Sequence, residues 1–210
     1  MIRNIVFDMG NVLIYWRPDV LVERLGVPEE DRPLLLREVF GDVNWIQLDR
    51  GIVTPEEAAG RMCRRLPERL HGAAHELTSG WWQGPLLPVE GMAELVREVK
   101  GLGYGVYLLS NAGVDLPKFF PRIPGSECFD GRVVSAFHKL LKPQPELYQI
   151  LLREYKLKGE ECFFVDDLNI NVEAAMLAGM SGTVFRGADS LRRALREAGI
   201  PVSDRENTCR

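Results

Sequence analysis

Ile2-Arg3-Asn4-Ile5-Val6-Phe7-Asp8-Met9-Gly10-Asn11-Val12-Leu13-Ile14 is the stretch that decides how this chain folds. An apolar run ending at Phe7 delivers one carboxylate, Asp8, to the end of a strand. A Gly-Asn turn follows directly. A buried strand that ends in an acid and a glycine suits a parallel α/β sheet, where ligands gather at the carboxyl ends of the strands. Alone, Asp-x-Gly-Asn serves equally as a turn or a helix cap. Residues far downstream separate the two uses.

Working outward, residues 2–8 read as a strand and 9–17 as a turn and irregular excursion that stops at Arg17-Pro18. The pattern then changes. Apolar residues recur at helical spacing in Val20-Leu21-Leu25, Leu34-Leu35-Val39 and Ala58-Ala59-Met62-Leu66. Thr54-Pro55-Glu56-Glu57 has the form of a helix start, with Thr as cap, Pro at the first position and acids in the first turn. No strand pattern interrupts this region, so residues 18–84 are expected to form a helical insertion.

From Pro88 strands and helices alternate. The expected helices are Val89 to Leu102, Glu146 to Tyr155, Val172 to Ala178 and Leu191 to Ala198. The expected strands are Gly105 to Asn111, Phe129 to Ser135, Cys162 to Asp167 and Gly182 to Phe185. Such alternation predicts a parallel sheet with right-handed crossovers. The expected organisation is a core of residues 1–17 and 85–203, a helical cap of residues 18–84, and a polar tail of residues 204–210.

Three strand ends then converge on one edge of the sheet: Asp8, Ser110-Asn111 and Asp166-Asp167. Lys142-Pro143-Gln144-Pro145 precedes a helix, and its prolines restrict the loop that presents Lys142. The residue types indicate phosphoryl chemistry. Asp8 and Asp167 are hard oxygen ligands suited to Mg²⁺. The Ser110 hydroxyl and the Asn111 N–H, expected where a helix begins, suit phosphate oxygens. Lys142 adds a fixed positive charge. Such a set neutralises a phosphoryl group passing between an attacking carboxylate and a leaving oxygen. Asp8 is then the nucleophile and forms an aspartyl-phosphate that water hydrolyses.

The order Asp, Ser-Asn, Lys-Pro, Asp-Asp resembles the four motifs of the haloacid dehalogenase superfamily. They read Phe7-Asp8-Met9-Gly10-Asn11-Val12-Leu13, Leu108-Leu109-Ser110-Asn111, Lys142-Pro143-Gln144-Pro145-Glu146-Leu147-Tyr148, and Phe164-Val165-Asp166-Asp167-Leu168-Asn169-Ile170-Asn171-Val172-Glu173-Ala174-Ala175. The resemblance spans essentially the whole chain. It implies a Rossmann-like parallel sheet core with a small helical cap inserted after the first strand. The opening motif is similar to that of α-D-glucose-1-phosphate phosphatases and of the N-terminal phosphatase domain of soluble epoxide hydrolase. By motif, the resemblance implies Asp8 as nucleophile and metal ligand, Gly10 as a ligand through its carbonyl, and Asp167 as a further ligand. It implies Ser110, Asn111 and Lys142 as the phosphate site, with Asp166 and Asn171 orienting the ligands from behind. The implied reaction is Mg²⁺-dependent hydrolysis of a small phosphorylated metabolite, a sugar phosphate being the expected class.

Two positions depart from the family pattern. Gly10 stands where most phosphatases of the family carry a second Asp, the general acid and base, whose loss costs about 10²–10⁴-fold. A sugar 1-phosphate has an easier leaving group, which fits that gap. Lys139 stands where the third motif has a glycine. Other readings are a 2-haloacid dehalogenase-like hydrolase and a catalytically weak binding or regulatory relative. The Asp166-Asp167 pair argues for metal and against dehalogenation.

Trp16, Trp45, Asp49, Arg50, Trp81 and Trp82 are the candidates for substrate choice, although tryptophan in a small helical unit also serves as core. His71, His75 and His138 share no ligand spacing and are expected at the surface. Arg61, Arg64, Arg65 and Arg69 are expected to form a solvated helix face.

The 210 residues suffice for one large domain or a core with a modest insertion. A hydrophobic fraction of 46% with 27% charged residues places the chain among soluble globular proteins. The formal net charge of −4 argues against a nucleic-acid surface. No apolar run approaches the roughly 18 residues of a membrane span, and no signal-peptide pattern opens the chain. Cys63, Cys128, Cys162 and Cys209 make no Cys-x-x-Cys pair, so neither zinc nor a disulfide framework is expected. These features point to a cytoplasmic protein, and with the resemblance they give the expectation of a monomer or homodimer acting on a small phosphorylated substrate.

Overall fold

The computed structural model describes residues 1–204; the tail expected beyond Asp204, and Cys209, lie outside the described residues. Five strands form one parallel sheet: β1 (Asn4–Phe7), β2 (Gly105–Ser110), β3 (Gly131–Val134), β4 (Cys162–Asp166) and β5 (Ser181–Val184). Their order is β3-β2-β1-β4-β5. The chain builds outward from β1 on one side through β2 and β3, then crosses to the other side for β4 and β5. The reversal falls beside β1, and such a switch point opens a crevice at the carboxyl ends of the strands.

Register brings the motif residues together. Phe7 pairs with Leu108 on one side and Val165 on the other. Asp8, one residue further, is therefore level with Asp166, and its N–H donates to the Val165 carbonyl at 2.8 Å. Alternation along the strands sends Ile5, Phe7, Leu108 and Val165 to one face and Val6, Leu109 and Phe164 to the other.

The helices, in chain order, are α1 (Pro18–Arg24), α2 (Arg32–Leu35), α3 (Val43–Asp49), α4 (Pro55–Cys63), α5 (His71–Ser79), α6 (Met92–Gly101), α7 (Leu116–Phe119), α8 (Ser135–His138), α9 (Pro145–Glu154), α10 (Asn169–Leu177) and α11 (Ala188–Glu197). Helices α6 and α11 cover one face of the sheet through Leu95, Val96, Val99, Leu191 and Leu195. Helices α9 and α10 cover the other through Leu147, Tyr148, Leu151, Val172 and Ala175. Both faces of the parallel sheet are thus buried.

Helices α1 to α5 have their own apolar cluster, including Val22, Leu35, Val39, Met62, Leu70 and Leu77. The expected start at Thr54 is a full capping box: its hydroxyl accepts from Glu57 N–H at 3.1 Å, and the Glu57 carboxylate accepts from Thr54 N–H at 2.9 Å. The two connections to this helical segment run side by side. Tyr15 N–H donates to Leu87 O at 2.7 Å, and Val89 N–H to Leu13 O at 3.0 Å.

Of the arginine cluster, Arg64, Arg65 and Arg69 are exposed as expected, and Arg61 is half-buried. Arg61 donates to Gln47 at 3.0 Å, Arg65 to Glu38 at 2.6 Å and Arg69 to Asp31 at 2.7 Å. These bonds tie α4 and the turn after it to the preceding helices from the protein surface. His75 is exposed as expected, whereas His71 is half-buried with Nε2 3.0 Å from Leu66 O. Among the described residues no helix is long and apolar enough to cross a membrane.

Candidate active site

β1 ends at Phe7, so Asp8 projects from the central strand where the ladder stops. Its Oδ1 lies 2.8 Å from Lys142 Nζ, and the same ammonium lies 2.6 Å from Asp166 Oδ2. Lys142 side-chain exposure is 1% and Asp166 side-chain exposure 0%, which makes this a desolvated triad. A buried lysine persists only when its charge is matched. Burial works against the Lys142 ammonium, but the two carboxylates outweigh it and hold the group above the usual lysine range. Burial pushes the Asp8 carboxyl up to about 6; Lys142 opposes this and Asp166 adds to it. Asp8 is therefore ionised at neutral pH.

Asp166 is fully committed. Besides Lys142 it accepts from Leu168 N–H and from Asn171 Nδ2, both at 2.9 Å. Asn171 sits in the first turn of α10, and its carbonyl accepts from the Tyr148 hydroxyl at 2.9 Å. Asp166 and Asn171 thus hold Lys142 from behind. Asp167 differs. It is half-buried, and one carboxylate oxygen accepts from Asn11 Nδ2 at 3.0 Å. Ligand oxygens of Asp8, Asp166 and Asp167 lie within 4.8 Å of one another. With Asp166 spent on Lys142, Leu168 and Asn171, Asp8 and Asp167 are the pair left to face a cation, and Gly10 lines the same cavity.

Asn11 is a site residue that the sequence reading passed over. It takes the left-handed conformation, φ 54°, which suits Asn. Its carboxamide joins two elements, donating to Asp167 and accepting from Trp16 N–H at 3.0 Å. The Asp-x-Gly-Asn turn was the available signal.

Ser110 Oγ is buried without a hydrogen-bond partner, a state that costs about 1–3 kcal/mol unless a ligand satisfies it. The Asn111 side chain clamps the Lys142 peptide from both sides, accepting from Lys142 N–H at 2.8 Å and donating to Lys142 O at 3.1 Å. Its expected place at a helix start is corrected. Residues 111–115 are not helical, and the next helix, α7, begins at Leu116 and has four residues.

A cavity of about 300 Å³ opens beside Asp8. Of the candidates for substrate choice, Trp16, Trp45, Asp49 and Trp81 line it, together with Leu48, Val53, Thr78, Val114, Asp115 and Phe119. Arg50 and Trp82 do not. Arg50 Nε donates to Lys139 O at 3.0 Å, and Trp82 stacks near Phe119 with ring centroids 6.1 Å apart. The tryptophans are therefore wall, their edges against one another: Trp16 and Trp81 meet at 4.9 Å, Trp16 and Trp45 at 5.4 Å. Asp49 ends α3 and shares the cavity with Asp8. Burial, and then the negative charge of Asp8, push its carboxyl up to about 8.

A family model for haloacid dehalogenase-like hydrolases matches residues 2–180. The chain belongs to the haloacid dehalogenase-like hydrolases. A sesquiterpene phosphatase of Aspergillus oryzae is 31% identical over 183 residues, covering 84% of this chain and 86% of the relative. A flavin mononucleotide hydrolase of Arabidopsis thaliana is 26% identical over 162 residues, 76% of this chain and 63% of that protein. Among solved structures, a haloacid dehalogenase family enzyme of Bacteroides thetaiotaomicron, in complex with magnesium and inorganic phosphate, superposes with a TM-score of 0.69 at 22% identity, covering 93% of this chain and 100% of that one. The L-2-haloacid dehalogenase of Xanthobacter autotrophicus superposes at 0.65 with 16% identity, covering 96% and 85%. At these identities the structures establish the haloacid dehalogenase fold.

Proposed function

We propose that this hydrolase is a Mg²⁺-dependent phosphatase that works through an aspartyl-phosphate on Asp8. The observation that carries the reading is the Asp8–Lys142–Asp166 triad, with Asp167 beside it. It supports Asp8 as a carboxylate nucleophile, because a fixed cation and a spare oxygen ligand stand beside it at the carboxyl edge of the sheet. The all-oxygen donor set fits Mg²⁺, which takes one or two carboxylates and keeps waters or substrate phosphate as further ligands. Asp8, Asp167 and the Gly10 carbonyl would hold it; when bound, it supplies positive charge at the phosphoryl oxygens. Lys142 lends charge from the other side, and the unsatisfied Ser110 hydroxyl is a donor for a phosphate oxygen. The Asn111 carboxamide keeps the Lys142 loop in place.

Helices α1 to α5 act in this reading as a cap that selects the organic part of the substrate. The cavity wall is mostly apolar: Trp16, Trp45, Leu48, Val53, Trp81 and Phe119. That lining supports a phosphomonoester with a large apolar group, and the sesquiterpene phosphatase relative points the same way. A sugar phosphate is the second reading, favoured by the indole rings of Trp16 and Trp45 in the wall and by Asp49 as a hydroxyl partner.

Phosphate release from farnesyl phosphate, glucose 1-phosphate and p-nitrophenyl phosphate, with Mg²⁺ and with EDTA, tests both. The expected result is Mg²⁺-dependent turnover, lost in Asp8→Asn, with kcat/KM for the isoprenoid about tenfold or more above that for the sugar. The reverse preference selects the sugar reading. An Asp8→Asn enzyme as active as the parent, or chloride release from 2-haloacids that survives EDTA, overturns the phosphatase assignment.

A further inference from the structure

A phosphoryl group leaving an alcohol for Asp8 leaves electrons on the alcohol oxygen, and that oxygen needs a proton. Position 10 carries none to give, because it is glycine. The other groups that line the cavity differ in what they can donate. Asp8 is the attacking group. Asp167 accepts from Asn11 and faces the metal position. Asp115 pairs with Lys118 Nζ at 2.6 Å. The Thr78 hydroxyl donates to Ala74 O at 2.9 Å within its own helix. No His, Cys, Lys or Tyr is among the described residues that line the cavity. Asp49 remains, and no ammonium or guanidinium pairs with its carboxyl among the described residues.

Its position is built, not accidental. Asp49 ends α3, Arg50 and Gly51 turn the chain after it, and this corner is docked on α8 and the residue beyond it. The Ser135 hydroxyl accepts from Ala112 N–H at 2.9 Å and donates to the Asp49 carbonyl. Arg50 Nε donates to Lys139 O at 3.0 Å, and Lys139 Nζ donates to Gly51 O. Gly51 has φ +69°, and a Cβ there would lie 2.2 Å from Ala136 O, so the two backbones touch. Contacts from three successive residues, the Asp49 and Gly51 carbonyls and the Arg50 guanidinium, therefore fix the end of α3 against the core, and Asp49 lines the same cavity as Asp8.

We propose that Asp49, delivered from the helical segment, is the catalytic acid that protonates the leaving oxygen of the substrate. This rests on the phosphatase reading. In the first half-reaction an Asp8 oxygen forms a bond to phosphorus. The phosphorus–alcohol oxygen bond breaks with its electron pair on the oxygen, and the Asp49 proton moves to that oxygen. The products are the alcohol, the aspartyl-phosphate and the Asp49 carboxylate. In the second half-reaction the Asp49 carboxylate takes a proton from water as the water oxygen bonds to phosphorus. The phosphorus–Asp8 bond breaks, which releases inorganic phosphate and restores both residues. A carboxyl held protonated near neutral pH by its surroundings suits this exchange.

Asp49→Asn keeps the shape of the side chain and every main-chain contact of the turn. The test compares an alkyl phosphate with p-nitrophenyl phosphate, whose leaving group departs as its anion. In Asp49→Asn, alkyl phosphate turnover is expected to fall about 10²–10⁴-fold. The rapid first release of p-nitrophenol, about one per site, should stay within a few-fold of the parent and so report an intact fold and nucleophile. The steady state after it slows, because the second half-reaction has lost its base. A first release of p-nitrophenol slowed as much as alkyl phosphate turnover, or alkyl turnover at the parent rate, would overturn the proposal. Failure of the phosphatase reading looks different: the parent itself then shows neither turnover nor burst.

Discussion

Lys139 donates a hydrogen bond from its ammonium to the carbonyl of Gly51, joining the core to the helical segment at the turn that carries Asp49. Lys139 holds φ 61°, the left-handed region in which an ordinary side chain is strained. At this position a glycine adopts the same backbone without cost. The strain is retained together with a clamp that glycine cannot make.

Lys139→Gly separates those two effects. Relief of the left-handed strain offsets part of the lost contact, so the melting temperature is expected to change little. Catalysis is expected to change more, because a shift of about 1 Å at a reacting group can cost up to about 10²-fold. Turnover of an alkyl phosphate should fall several-fold or more. A melting scan beside alkyl phosphate kinetics distinguishes this from general destabilisation.

Much of the site was legible because strand ends in a parallel sheet must share an edge. Asp8, Ser110 and Asp166 needed only period-2 burial and the neighbouring turns to be placed. The role of Asp49 was not legible beyond its candidacy for substrate choice. Its position depends on a contact with Ser135, 86 residues away in sequence, and on Gly51 fitting against Ala136. No local pattern encodes either. Asn111 misled because Gly113 and Asp115 intervene before Leu116 and Pro117 start a helix. Val89 looked helical, but Gly91 caps the helix at φ 79° and delays it to Met92.

Lys142 is expected to matter for stability as well as chemistry. Lys142→Met leaves Asp8 and Asp166 buried without their cation, and breaking one side of such a pair costs about 3–5 kcal/mol. The loss should be largest at neutral pH in EDTA and shrink towards pH 5, where Asp8, already raised by burial, takes up a proton. Urea unfolding at the two pH values measures it; a loss independent of pH would contradict the electrostatic origin.

Asp49 has a pH signature in the metal-free protein. Its folded carboxyl lies at about 8 against an ordinary 3.8, so the folded state binds more protons than the unfolded chain between those values. Stability contributed by the protonated form is therefore present at low pH and lost as pH rises towards 8. One such proton gives a slope of up to about 1.4 kcal/mol per pH unit. Asp8 adds a similar fall at lower pH, up to its own value of about 6. The other charges about the cavity are Lys142, Asp166, Asp167 and Asp115 with Lys118. Asp49→Asn should flatten the fall between pH 6 and 8 and leave only the Asp8 share of the fall below pH 6. Urea unfolding across pH 5–9 in EDTA reads the difference.

Gly10 offers the complementary test. A Cβ built on it meets nothing within 4 Å, its φ is not in the left-handed region, and it lines the cavity with Asp8 and Asp49. A carboxyl can therefore be introduced there without displacing the backbone. If the leaving oxygen is protonated from the far wall by Asp49, an acid two residues after Asp8 can take over that task. Gly10→Asp in the Asp49→Asn background is expected to recover about tenfold or more of the lost alkyl phosphate turnover, while Gly10→Ala in the same background recovers none. Recovery by both variants would mean that bulk at position 10, and not its proton, is what the cavity lacks.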